Sequence, residues 1–290
     1  MRLITNILFP VDFSASCAAM GPYVKRAAAM FGARVSLIHV FDPASYSGWE
    51  QWEQYVRGPV EIAAEHRQIA QKRLDAFLAK EFPVSHHPRI LASGDPAKQI
   101  AETARHGFDL IIMPTHSGTF RRTLLGSTTA KVLNDVDCPV ATSLHAETIT
   151  VRPMQHREWL CAIGLSGDSE RVLRFAMRAS AEAGAHLRII HAIQSTDPKL
   201  PVRLNLEEQI QSAEKRQALE RIDALQRKVG SHASVRIAVG PVREALVEAI
   251  RQSDADALMI GRSPQSGLQG RLRDLTYSLV RDSSVPVISI

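Results

Sequence analysis

Cysteine is scarce in this chain: Cys17, Cys138 and Cys161 are the only three in 290 residues, far apart and without a C-x-x-C pair. An odd, scattered set excludes a disulfide framework and a zinc site, and predicts free thiols in a reducing cytoplasm. Aromatic residues make up only 6%, and no aromatic-rich basic stretch of the kind that stacks single-stranded nucleic acid is present. Long apolar runs are missing too. None approaches the roughly 18 residues of a membrane span, and the opening MRLITNILFPVDF is too short in its apolar part for a signal peptide and reads directly as a strand. Charge of one sign is also lacking, since the net charge is +5 at a pI near 9.3 and the excess is spread along the chain. Arg171, Arg174 and Arg178 recur at helical spacing and read as a solvated helix face rather than a nucleic-acid patch. Neither nucleic acid nor membrane is expected as a partner.

What the chain does have is a repeat. FGARVSLIHV (31–40) is matched by AGAHLRIIHA (183–192), so Gly32 pairs with Gly184 and His39 with His191. FDLIIMP (108–114) matches ADALMIG (255–261), and DCPVATS (137–143) matches SVPVISI (284–290), in the same order. A repeat of half the chain is a duplicated domain rather than a solenoid, whose periods run to about 50 residues. Each half is long enough to bury a core of its own.

Short apolar runs alternate with helical patterns. The first half reads as strand TNILFPV, helix 14–32, strand VSLIHVF, helix 60–82, strand HPRILAS, helix 96–106, strand DLIIMP, helix 127–135 and strand PVATS. The second reads as WLCAIGL, helix 169–183, HLRIIHA, helix 204–229, SVRIAVG, helix 242–252, ALMIG, helix 272–282 and PVISI. Near-continuous apolar strands alternating with helices predict an α/β fold of two tandem, doubly wound, five-stranded parallel-sheet domains, Rossmann-like. The polar stretch HAETITVRPMQHR separates domains expected at 1–146 and 157–290. In such sheets ligands bind beyond the carboxyl ends of the strands at the switch point. That directs attention to FPVDFS, IHVFD, ASGDP, MPTHSG and the helix starting at Gly126.

The richest stretch is MPTHSGTFRRTLLGSTTAKVLNDVDCPV. A strand ends at Met113, a glycine-containing loop and two arginines follow, and Gly126, Ser127, Thr128 and Thr129 open a helix. Free amides and hydroxyls at a helix start, with the helix dipole behind them, suit an anion. Arg121 or Arg122 could reach the same anion. Ser and Thr also simply cap helices, and local physics leaves the two readings level.

PVDFS, the IHV strand, the GDP turn and THSG…LLGS…KVL…CPV together resemble a universal stress protein domain, and the resemblance extends over nearly the whole chain as a tandem of two. The family has a nucleotide-binding branch with the pattern G-x-x-G, a nine-residue spacer, then G-[S/T], whose loop and helix start hold ATP phosphates. The resemblance implies Asp12 and Val40 at the adenosine end, and Pro10 and, in the GDP turn, Gly94 are further candidate binding residues. It implies Gly126, Ser127 and Thr128 at the phosphates, with His116, Ser117, Gly118 and Arg121 in the loop. The implied ligand is ATP, with Mg²⁺ possible at Asp12, or another adenine nucleotide; no catalytic residue and no dedicated metal site is expected. Two departures stand out: Pro114 and Ser117 occupy the first two glycine positions, and the spacer is one residue short, with Gly118 able to take over.

The second half departs further. Gly164 stands where Asp12 stands, and Arg273 and Asp274 where Gly126 and Ser127 stand. A carboxylate there repels phosphate and caps the helix itself, so this half is expected not to bind ATP in the family manner. Its GRSPQSG loop (261–267) keeps two glycines. The family resemblance implies pairing through the last strands, 139–144 and 285–290, as a pseudo-dimer within one chain or as a homodimer. GLSGDS (164–169) resembles a pyrophosphatase loop but lacks a glycine and a position, and reads as a turn and N-cap. His39 and His191, repeated at equivalent strand ends, read as packing. His86 and His87, adjacent on an expected strand, face opposite ways and suit no single metal. Tyr46, Trp49, Trp52 and Tyr55, spaced by three, read as a packing or oligomer face, with a lid over the ligand as the alternative. Three functions are consistent with these features: a non-enzymatic nucleotide-binding stress regulator, which is the expectation, a slow ATPase or nucleotidyl-transfer enzyme, or a scaffold that has lost its nucleotide. No Walker motif and no second carboxylate near Gly126 supports the enzyme.

Overall fold

A computed structural model describes residues 2–41, 59–115, 125–143, 158–193, 204–262 and 274–290, without the side chains of 59–63, 204–210 and 274. The chain divides into two compact units, Met1–Arg152 and Pro153–Ile290.

In the first unit, β1 (Asn6–Pro10), α1 (Ala15–Phe31), β2 (Arg34–Phe41), α2 (Pro59–Ala76), β3 (Arg89–Ser93), α3 (Pro96–Ala104), β4 (Leu110–Pro114), α4 (Ser127–Asp135) and β5 (Val140–Ser143) alternate without interruption. The strand order is β3-β2-β1-β4-β5, and every pairing is parallel. The second unit repeats it with β6 (Glu158–Ala162), α5 (Ser169–Ala183), β7 (His186–Ile193), α6 (Leu204–Val229), β8 (Ser234–Val239), α7 (Val242–Ser253), β9 (Ala257–Ile260), α8 (Asp274–Asp282) and β10 (Val287–Ser289). Its order is β8-β7-β6-β9-β10, again all parallel. The doubly wound α/β expectation therefore holds.

Central strands carry the core because both of their faces are covered. Ile7, Leu8 and Phe9 of β1, Ile111 and Ile112 of β4, and Trp159, Leu160 and Cys161 of β6 are all buried. In each unit the chain leaves the central strand in one direction through β2 or β7 and later crosses to the other side through β4 or β9. A crevice opens where the order reverses.

Local chemistry sets the helix ends. The Ser14 hydroxyl accepts from the Cys17 amide and Asp95 from the Lys98 amide, which satisfies two orphan donors at the starts of α1 and α3. The repeated glycines end the first helix of each unit: Gly32 and Gly184 sit at φ 61° and 68°, a left-handed cap that a Cβ disfavours.

Two expectations need correction. The helix expected to run to 82 ends at Ala76, because Leu78 takes a left-handed φ of 51° and the chain enters turns. Arg89 secures that turn by donating to the carbonyls of Phe77 and Phe82 at 3.1 and 2.7 Å. His86 and His87 precede β3 instead of lying on it: Nδ1 of His86 meets Ser85 Oγ, and that of His87 meets the Val35 carbonyl.

Candidate functional site

At the carboxyl ends of β1, β2 and β4 a cavity of about 140 Å³ opens between the strand ends and α4. Pro10, Asp12, Val40, Pro114 and Thr128 line it, so five of the residues singled out from sequence come together. Gly94, Gly126 and Ser127 are placed around it without lining it. Gly94 turns the chain at φ 119° and donates its amide to the Phe41 carbonyl. His116, Ser117, Gly118 and Arg121 lie outside the described residues, as do Arg122 and the aromatic segment with Tyr46, Trp49, Trp52 and Tyr55.

The start of α4 is open. Gly126 is its N-cap at φ −61°, ψ 142°, and no side chain caps the helix. The first intrahelical bond runs from the Ala130 amide to the Gly126 carbonyl. The amides of Ser127, Thr128 and Thr129 therefore have no acceptor among the described residues, the arrangement that receives an anion. One detail differs from the expectation for Gly126. Its amide donates to the Thr115 carbonyl at 2.8 Å, so it is not among the open donors. Its contribution is a missing side chain at a cap position, in a conformation open to any residue. Thr129 fixes the helix start by donating its hydroxyl to the Pro114 carbonyl at 3.1 Å.

The loop after β1 is held rigidly. Asp12 accepts from the Ser14 amide at 2.9 Å and keeps its exposed carboxylate at the cavity mouth. Phe13 adopts a left-handed φ of 62°, which costs about 1–2 kcal/mol for a residue with a Cβ. Its ring stacks on His39 at 4.2 Å, meets Phe77 edge-on at 5.5 Å and lies under the Arg73 guanidinium at 4.7 Å. Nδ1 of His39 lies 2.8 Å from the Val11 carbonyl. A carbonyl can only accept, so Nδ1 carries the proton. Burial pushes the His39 pKa below its ordinary value, and this outweighs the Val11 bond and the nearby Asp12 charge. Burial, with the Asp12 charge adding to it, pushes the Cys17 thiol far up, so Cys17 lines the cavity as an inert wall.

The second unit repeats this scaffold. Leu165 takes φ 55°, His191 Nδ1 meets the Ile163 carbonyl at 2.6 Å, and Arg221 of α6 donates to the Leu165 carbonyl at 2.7 Å. Gly240 turns at φ 136° with its amide on Ile193. The pair His39 and His191 is thus a latch on the loop after the first strand, in keeping with the packing role. Asp168 stands at the N-cap position of α5, but its side chain makes no capping bond. Arg171, read from sequence as solvated, instead donates to the carbonyl of Ile290.

The sequence profile of the universal stress protein family matches residues 4–142 and 157–290. The chain belongs to the universal stress protein family. A universal stress protein from Methanocaldococcus jannaschii is 32% identical over 144 residues, which cover 48% of this chain and 81% of that one. The crystal structure of a universal stress protein from Archaeoglobus fulgidus superposes with a TM-score of 0.69 at 20% identity, covering 98% of this chain and 97% of that one. A protein of unknown function from Pseudomonas aeruginosa gives 0.64 at 18% identity, covering 100% and 93%. These two likenesses establish the tandem universal stress protein fold. Among the described residues no helix is long and apolar enough to cross a membrane, and no three His, Cys, Asp or Glu groups gather as a metal site.

Sequence reasoning passed over Cys17, Ile38, Pro96, Ile100 and Met113 as cavity lining. Strand periodicity contained the signal for Ile38 and Met113, each next to a named residue. Pro96 and Ile100 arrive from α3 only through the crossover.

Proposed function

We propose that the first unit binds ATP or a related adenine nucleotide, and that the protein acts as a nucleotide-responsive regulator without fast turnover. The observation that carries this reading is the uncapped start of α4, whose Thr128 and Thr129 line the same cavity as Asp12. The open amides of Ser127, Thr128 and Thr129 suit phosphate oxygens, and the helix dipole adds about 0.3–1 kcal/mol for an anion there. Val40, Pro10 and Ile38 offer an apolar wall to a base, and Asp12 offers an acceptor to a ribose hydroxyl. At about 140 Å³ the cavity takes one part of a nucleotide, and the phosphates extend past the helix start. A bound nucleotide would supply charge and shape to a partner.

Gly126→Asp tests this directly. The φ and ψ at 126 accept any residue, and Asp is a good N-cap. The variant should fold with an unchanged or slightly higher melting temperature while its carboxylate closes the helix start. ATP affinity measured by calorimetry should fall at least tenfold, about 1.4 kcal/mol. Unchanged affinity in a folded variant removes the phosphate assignment.

A further inference from the structure

Helices α3 and α4 both begin at the face where the first unit's cavity opens, and an ion pair joins them there. Nζ of Lys131 on α4 lies 3.2 Å from Oδ2 of Asp95, the N-cap of α3. The pair flanks the cavity, since Pro96 and Ile100 of α3 and Thr128 and Thr129 of α4 line it. Both side chains are exposed, Lys131 at 59% and Asp95 at 48%, and so open a pair adds little to stability and exchanges partners readily. Asp95 has a second task, accepting from the Lys98 amide at 2.9 Å. An ammonium has three donors, and among the described residues Lys131 uses them on Asp95 alone.

Lys131 stands one helical turn after Ser127, on the same face of α4 and about 6 Å further along the axis. Helical side chains lean towards the N-terminus. The long flexible lysine stem therefore carries the ammonium level with the open amides of Ser127, Thr128 and Thr129.

The second unit shows that the fold does not require this pair. Its glycine turn runs Gly240-Pro241 where the first unit has Gly94-Asp95, and Ser278 stands at the position of Lys131. Ser278 donates to the Leu275 carbonyl within α8. Helices α7 and α8 are joined at the last residue of α8 instead, by Arg243 and Asp282 at 2.7 Å. A lysine beside the helix start is thus a feature of the first unit and not of the shared fold.

We propose that Lys131 is a phosphate-binding residue of the first unit, held on Asp95 in the unliganded chain and transferred to the phosphates of a bound nucleotide. Phosphate oxygens carry more negative charge than one carboxylate and so win the exchange. Lys131 thereby sets a preference for phosphorylated ligands over the bare nucleoside. This inference rests on the reading of the cavity as a nucleotide site.

The test is calorimetry of ATP and of adenosine on the full-length chain. Lys131→Gln should weaken ATP by about fivefold or more, the loss of one charge-assisted contact, and leave adenosine unchanged. Lys131→Arg, which keeps the charge, should retain most of the ATP affinity. Asp95→Asn separates a ligand from a helix clamp. Asparagine caps a helix as well as aspartate does, so this variant keeps α3, breaks the ion pair and frees the ammonium. It should bind ATP as tightly as the wild type or more tightly. The inference is overturned if Lys131→Gln leaves ATP affinity unchanged, if it weakens adenosine equally, or if Asp95→Asn weakens ATP as much as Lys131→Gln does. ATP binding that falls in Gly126→Asp but not in Lys131→Gln removes this inference alone, whereas a wild-type chain that binds no ATP removes the nucleotide reading with it.

Discussion

At the scale of single residues, burial decides the chemistry. Cys17 and Cys161 are buried, and burial pushes the Cys161 thiol up to about 12 and Cys17 further still. Only a thiolate attacks a disulfide reagent. In the native protein at pH 8 one thiol, the partly exposed Cys138, should therefore react with a chromogenic disulfide, and in denaturant three should. His39 gives a prediction in pH. Its folded-state pKa lies below the unfolded one, so the unfolded chain binds more protons as pH falls through the ordinary histidine range, and native stability falls with it. His39→Gln should flatten the loss of denaturant stability between about pH 7 and pH 5, while lowering stability at neutral pH through the lost stack on Phe13. These roles were half visible in sequence. Repetition identified His39 and His191 as structural, but the carbonyls they hold, Val11 and Ile163, directly follow a different strand and emerge only once β1 and β2, or β6 and β7, are in register.

At the scale of elements, ends matter more than middles. Apolar periodicity located the ten strands and eight helices of the described residues because parallel strands covered on both faces read as apolar runs. It placed the end of α2 too late, since the left-handed turn at Leu78 has no glycine to signal it. Arg89 holds that turn through two bonds to carbonyls, and charge-assisted bonds of this kind contribute about 1.5–3 kcal/mol. Arg89→Ala should lower unfolding free energy by roughly that amount, read from denaturant melts, without changing ligand affinity. The start of α4 was legible as an anion site or as a cap, and sequence could not separate the two. The uncapped amides favour the anion, while the Gly126 amide, bonded to Thr115, shows that the glycine serves by having no side chain.

At the scale of the molecule, the chain is one fold written twice and then edited. Both units keep the strained residue after the first strand, the histidine latch, the arginine from the long helix and the glycine turn. What diverges lies at the strand ends: Asp12 against Gly164, Ser16 against Asp168, Cys17 against Ser169, and Ser127 against Asp274. Comparing the halves in sequence set Gly164 against Asp12 and Asp274 against Ser127. It did not reveal the cavity of about 330 Å³ in the second unit, whose lining is drawn from β6, β7, β9 and three helices far apart in sequence. The central claim is that the first unit holds an adenine nucleotide, and acid extraction of freshly purified protein followed by chromatography tests it most directly. The account predicts about one adenine nucleotide phosphate ester per chain, lost in Gly126→Asp. No nucleotide in the extract, together with no ATP binding on back-titration, would contradict it.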